Sequence, residues 1–347
     1  MFTKANGEPL MEIAGQQFCS TEQAIQFVKV AVIENDTAQA EILREGNPFK
    51  CKQLTKPWRL GAAFSRLKWH SYAIAVAEGI NFAKFTQNIH LQRKLLETGA
   101  RILIEANPYC AFWGAKASKL EIEENGFCRG MNLLGRSLMN LRLFLGGKNA
   151  YPPAIIIGDS MVKSLNDCSL FNVVAIPGAR VQAVGKVATF ACHPGYKMCV
   201  IFAGTNNMNR GQKFNQVKTK HGTNAPAKPK DVLHQFKRLL PLASHIPLLV
   251  ICEILPRHLD DTGDGFSPMR RNIHLVNKGL GPMMEEIPNV VILRCHANFT
   301  GKSLFMSDGL HLNESGTECL RHLIGNCIES HLGETSRERP PGQTKEM

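Results

Sequence analysis

Five short aliphatic runs in the second half of the chain constrain its fold more than any other feature: AIIIG from Ala154, NVVAIPG from Asn172, MCVIFAGT from Met198, PLLVICEIL from Pro247 and NVVILRC from Asn289. Each is short and apolar, and longer helix-like segments separate them. Strands covered on both faces read this way, so the pattern predicts a parallel sheet between two helical layers. Before Leu145 the pattern differs. STEQAIQFVKVAVI, SYAIAVAEGINFAKFTQNIHLQRKLLETG and NLLGRSLMNLRLFLGG repeat apolar residues at three- and four-residue steps, which predicts helices. Gly, Lys, Asn and two prolines between Gly146 and Pro153 interrupt both patterns.

A chain of 347 residues exceeds what one core usually covers. The expected division is a first domain over 1–148, a second over 149–332 and a polar, proline-bearing tail over 333–347 that reads as disordered. Eleven cysteines without a C-x-x-C pair suggest reduced thiols rather than a zinc site or a disulfide framework. Neither a metal nor a cofactor is expected. No apolar run approaches the roughly 20 residues needed to span a bilayer, and the first residues lack the apolar centre of a secretory signal, so the expected location is cytoplasmic. A formal charge of +12 favours anionic partners without choosing among them.

In a doubly wound sheet, ligands collect beyond the carboxyl ends of the strands. There this chain has Gly158-Asp159-Ser160, Pro177-Gly178-Ala179-Arg180 and Gly204-Thr205-Asn206-Asn207, with Ser307-Asp308-Gly309-Leu310-His311 before the last helix. Singly, each has a plain explanation: Ser160 as a helix cap, Gly178 as a turn, Asn206 as an Asx-turn, His311 as a surface histidine. As an ordered set they resemble the four blocks of the SGNH, or GDSL-type, hydrolases over about Ala154 to Ser330. That resemblance implies a flavodoxin-like fold and a serine esterase or acyl hydrolase. Ser160 would be its nucleophile, His311 its base and Asp308 the carboxylate that orients the base. The oxyanion would lie among the N–H groups of Ser160 and Gly178 and the side-chain amide of Asn206. Asn207 stands where many members have aspartate. The implied substrate is a small-molecule ester or other acylated compound. A basic insertion over 209–230, with Arg210, Lys213, Lys218, Lys220, Lys228 and Lys230, reads as a solvated loop, or alternatively as a contact for RNA phosphates or anionic lipid.

In the first half, Ser20 and Gln23 form a capping-box pattern, and Glu22, Gln26 and Lys29 share one helix stripe. Together with Lys84-Phe85-Thr86-Gln87-Asn88, Thr98-Gly99, Glu105, Trp113-Gly114 and Asn132 to Arg142, they resemble the NADAR family from Phe18 to Leu145. The implied fold is mainly helical (α+β). The implied activity is an N-glycosidase acting on a ribosylated base or ADP-ribosylated guanine. Glu22 would then supply acid–base chemistry and Lys29 a nucleophilic amine, with Trp113, Glu105 and Asn132 as ligand-contacting candidates. Two departures predict an impaired site: few residues precede Glu22, and Cys110 stands where the family often has aspartate. The composite expectation is a two-domain hydrolase whose serine site is the stronger. Its rivals are a glycosidase with a scaffolding second half, and a nucleic-acid-associated protein of a mobile element with an accessory esterase domain.

Overall fold

The computed structural model describes residues 9–61, 64–126, 128–208, 227–258, 268–284 and 287–333. The chain opens with a hairpin, β1 (Met11–Ile13) and β2 (Gln16–Phe18), then α1 (Thr21–Val32), α2 (Asp36–Arg44), α3 (Pro48–Leu54) and α4 (Pro57–Leu60). The long helix α5 (Arg66–Thr86) follows, then α6 (Ile89–Leu96), α7 (Lys119–Asn125) and α8 (Leu133–Leu145). The second half alternates β3 (Ala154–Gly158), β4 (Phe171–Ala175), α9 (Val181–Ala191), β5 (Met198–Phe202), α10 (Pro229–Lys237), β6 (Leu248–Cys252), α11 (Pro268–Met284), β7 (Val290–Leu293) and α12 (Glu314–Leu332).

All five aliphatic runs are strands of one parallel sheet with order β4-β3-β5-β6-β7. That order, 2-1-3-4-5 in chain sequence, is flavodoxin-like. Alternation along the strands divides the apolar side chains between two layers. Ile155, Ile157, Ile201 and Ile251 meet Val187 of α9, Phe236 of α10 and Val276 of α11 on one face. Ile156, Val200 and Val250 meet Phe299 and Leu320 and Ile324 of α12 on the other.

The apolar core does not stop at Gly146–Pro153. Phe18, Phe27, Val76 and Ile80 of the first half share one buried cluster with Val184, Val187 and Phe190 of α9. Phe190 sits edge-on to Phe18, with centroids 5.9 Å apart, and 6.0 Å from Phe27. Helices α5 and α9 touch backbone to backbone: a methyl on Gly79 would lie 1.8 Å from the carbonyl oxygen of Phe190. The helical half is thus an extra layer laid over α9.

Several local features depart from the sequence pattern. The hairpin β1–β2 falls where no strand was expected, on runs of three residues, too short for periodicity to register. The helical pattern read from Ser71 to Gly99 begins earlier, at Arg66, and breaks at Gln87–Asn88. Both break residues are spent on the hairpin: Gln87 exchanges two 2.8 Å hydrogen bonds with the backbone of Glu12, and Asn88 Nδ2 donates to the carbonyl of Leu10. The cap at Ser20 forms as expected, its hydroxyl accepting the Gln23 N–H, but the Gln23 side chain reaches back to the N–H of Cys19, one residue before the cap.

Candidate functional site

Strand β3 delivers Ser160 at its carboxyl end, on a single 3-10 turn spanning Ser160–Val162. The cap of this turn is Asp159, whose Oδ1 accepts the N–H of Met161 at 2.9 Å. Ser160 is therefore relieved of the capping role, and its hydroxyl lies 3.1 Å from Nε2 of His311. On the far side of the ring, Nδ1 lies 2.6 Å from Asp308 Oδ2. The loop between β7 and α12 is folded around that carboxylate: Asp308 Oδ1 accepts the N–H groups of Leu310 and His311, both at 2.9 Å. The His311 hydrogen bond, joined by the two backbone bonds, holds the Asp308 carboxyl down to about 2. An ionised Asp308 keeps the ring proton on Nδ1 and leaves Nε2 to accept from Ser160.

Two more loops close around the hydroxyl. After β4, Ala179 N–H returns to the carbonyl of Ile176, with Pro177 and Gly178 at the corner and φ of +75° at Gly178. A proline followed by a residue of positive φ is the pattern of a type II turn, and glycine meets the second requirement without strain. After β5, Asn206 Nδ2 donates to the carbonyl of Ala179 at 2.9 Å and lies 3.4 Å from Asp159 Oδ2. Asn207 braces the same corner: its Oδ1 accepts the first N–H of α9, at Val181, and its Nδ2 donates to Gln182. The structure thus brings Ser160, His311 and Asp308 into one relay and fixes Asn206 to the loop of Gly178. Asp159 itself is wholly buried, and that burial pushes its carboxyl up to about 7.

In the helical half, Gln26 is buried while Glu22 and Lys29 are half-buried, so this stripe of α1 is not a solvated face. Gln26 donates to Glu22 and accepts from the hydroxyl of Thr55. The Lys29 ammonium sits over the ring of Trp69, 4.9 Å from its centroid. Trp69 and Thr55, both buried, were not singled out in the sequence. Only their position beside α1 marks them. Trp113 is half-buried, edge-on to Phe112, which stacks on His70 of α5 at 4.2 Å. The backbone N–H of Trp113 points to Cys110 Sγ at 3.4 Å.

Of the other candidates of this half, Asn132 is placed as a staple. Asn132 adopts a left-handed backbone conformation, and its amide binds the backbone of Leu103 and Glu105 at 2.8 and 3.0 Å. The Glu105 side chain is exposed. Arg142 ties Thr98 Oγ1 and the carbonyl of Arg101. Most of the basic insertion, 209–226 with Arg210, Lys213, Lys218 and Lys220, lies outside the described residues, while Lys228 and Lys230 are exposed where α10 begins. A cleft of about 740 Å³ between α1, α9 and α10, lined by Ala31, Gln182, Lys186 and Arg238, contains neither the serine relay nor the Glu22 group. Among the described residues, no helix is long and apolar enough to cross a membrane.

Residues 1–145 match the NADAR domain family. An N-glycosidase of Acanthamoeba polyphaga mimivirus is 29% identical over 141 residues, which is 40% of this chain and 77% of that one. Protein irg-1 of Caenorhabditis elegans is 30% identical over 129 residues, 36% of this chain and 60% of that one. The second half is similar to a GDSL-like lipase of Bacteroides thetaiotaomicron at 15% identity and a TM-score of 0.40, covering 51% of this chain and 88% of that one.

Proposed function

We propose that the chain is a two-domain hydrolase in which Ser160, His311 and Asp308 cleave carboxylic esters or related acyl compounds. The observation that carries this reading is the unbroken relay from hydroxyl to imidazole to carboxylate, assembled from residues 151 positions apart in sequence. The chemistry follows from the geometry. His311 Nε2 takes the Ser160 proton as Oγ attacks the acyl carbon, and Asp308 steadies the imidazolium. Negative charge that develops on the acyl oxygen meets the N–H groups of Ser160 and Gly178 and the amide of Asn206. The imidazolium returns its proton to the departing alcohol, leaving Ser160 acylated. Water, activated by the same histidine, then releases the acid.

A fluorophosphonate probe tests this, read by mass spectrometry for the modified residue. It should label Ser160 in the wild type and nothing in Ser160→Ala, which should also lose hydrolysis of a short-chain p-nitrophenyl ester. Labelling of a different serine would sink the assignment.

A second reading concerns the group around Glu22. Its half-buried carboxylate and amine, the latter held over an aromatic ring, suit a ribosylated base, such as that of an ADP-ribosylated guanine, better than a surface helix. The sequence similarity to an N-glycosidase points the same way. We assign this half ligand binding with slow glycosidase turnover.

A further inference from the structure

Three consecutive residues of the first turn of α5 face three different places. Trp69 lies under the Lys29 ammonium, His70 stacks on Phe112, and Lys68 reaches the second half of the molecule. Lys68 Nζ stands 3.5 Å from where a Cβ on Gly178 would be, at the exposed rim of the loop expected to hold the oxyanion. The backbone that carries Lys68 is fixed: Ser65 accepts its N–H, Ser71 donates to its carbonyl, and Trp69 beside it is buried.

From this we infer that Lys68, a residue of the helical half, sets the specificity of the serine site for esters carrying an anionic group, carboxylate or phosphate, near the scissile carbonyl. The inference rests on Ser160 being the nucleophile. An ammonium has three donors, so contacts within the protein and a contact to a substrate anion are compatible. The helical layer would thus act as one wall of the serine site.

The test uses the full chain and two esters of matched length, 4-nitrophenyl hemisuccinate and its neutral methyl ester. The measured quantity is the ratio of their kcat/KM values. Lys68→Met should lower the anionic-to-neutral ratio about tenfold, the order expected for one charged hydrogen bond, while Lys68→Arg keeps most of it. Raising the salt concentration should erode the wild-type ratio. Protection against fluorophosphonate labelling by inorganic phosphate or by succinate, lost in Lys68→Met, tells which anion is preferred. An unchanged ratio overturns the inference. So does an equal fall on both esters, which would mark a structural role, or an equal rise, which would mark Lys68 as a plug. If Ser160 takes no probe and neither ester is cleaved, the serine reading itself fails, and the inference goes with it.

Discussion

Asp159 caps the turn that would otherwise have claimed Ser160: its Oδ1 accepts the Met161 N–H at 2.9 Å. The cost is a carboxyl with no exposure to water. Burial raises it from 3.8 to about 7, against the opposing pull of the Met161 bond and His311.

The consequence is a pH dependence of stability of definite sign. The folded protein holds this proton more tightly than the unfolded chain, so its favourable contribution is complete below about pH 4 and is lost as pH rises toward 7, at no more than about 1.4 kcal/mol per pH unit. Asparagine in its place can keep the Met161 bond and cannot ionise. The melting temperature of Asp159→Asn relative to wild type should therefore climb between pH 5 and pH 8. A constant difference would mean that Asp159 is charged in the folded state throughout.

Asp308→Asn tests the other carboxylate. An amide nitrogen facing Nδ1 favours the tautomer with the proton on Nε2, which cannot accept from Ser160. Ester kcat/KM should fall by roughly 10³- to 10⁴-fold with the fold intact, as expected when a triad loses the correct tautomer. A loss below tenfold would remove Asp308 from the relay.

Asn206→Ala should act mainly on kcat, lowering it about 10²- to 10³-fold, the usual cost of one oxyanion donor. A change confined to KM would instead show an amide that only braces the carbonyl of Ala179.

The strands and the serine relay were legible because each element carried a local signal: continuous apolar runs for the sheet, and short polar motifs at strand ends. The capping role of Asp159 was not, since aspartate and serine are both good caps and only geometry decides between them. Nor was Trp69, one apolar residue in a helix whose relation to Lys29 depends on how α1 and α5 cross. Asn132 shows the converse. Its motif made it a ligand-contacting candidate, and its side-chain amide holds the backbone of Leu103 and Glu105. The shared core was hidden for the same reason: α9 reads as an ordinary amphipathic helix, and nothing in its pattern names what lies on its outer face.

That shared core predicts joint unfolding. Alanine in place of a helical glycine ordinarily stabilises by about 1 kcal/mol, but at Gly79 its methyl would collide with the Phe190 carbonyl, so Gly79→Ala should destabilise by about 1–3 kcal/mol. All three tryptophans, Trp58, Trp69 and Trp113, lie in the helical half, so fluorescence follows that half while loss of Ser160 labelling follows the other. Both signals should shift together in urea, in wild type and variant alike. Two separated transitions would show that the halves fold independently.

Glycosidic cleavage asks more of the Glu22 group than binding does. It needs a proton delivered to the departing base and a group to meet the positive charge at the anomeric carbon, both placed at once. Glu22 and Lys29 are suitably half-buried, yet the third position, beside Trp113, holds Cys110, whose sulfur accepts a backbone N–H at 3.4 Å. A thiol there cannot supply the fixed negative charge of a carboxylate. Release of base from ribosylated substrates should therefore be slow beside hydrolysis of a short p-nitrophenyl ester, with ADP-ribose still bound in calorimetry. Cys110→Asp should raise the rate of base release, and Lys29→Ala should abolish what there is. Efficient base release by the unaltered chain, removed by Lys29→Ala and untouched by Ser160→Ala, would reverse the ranking of the two sites.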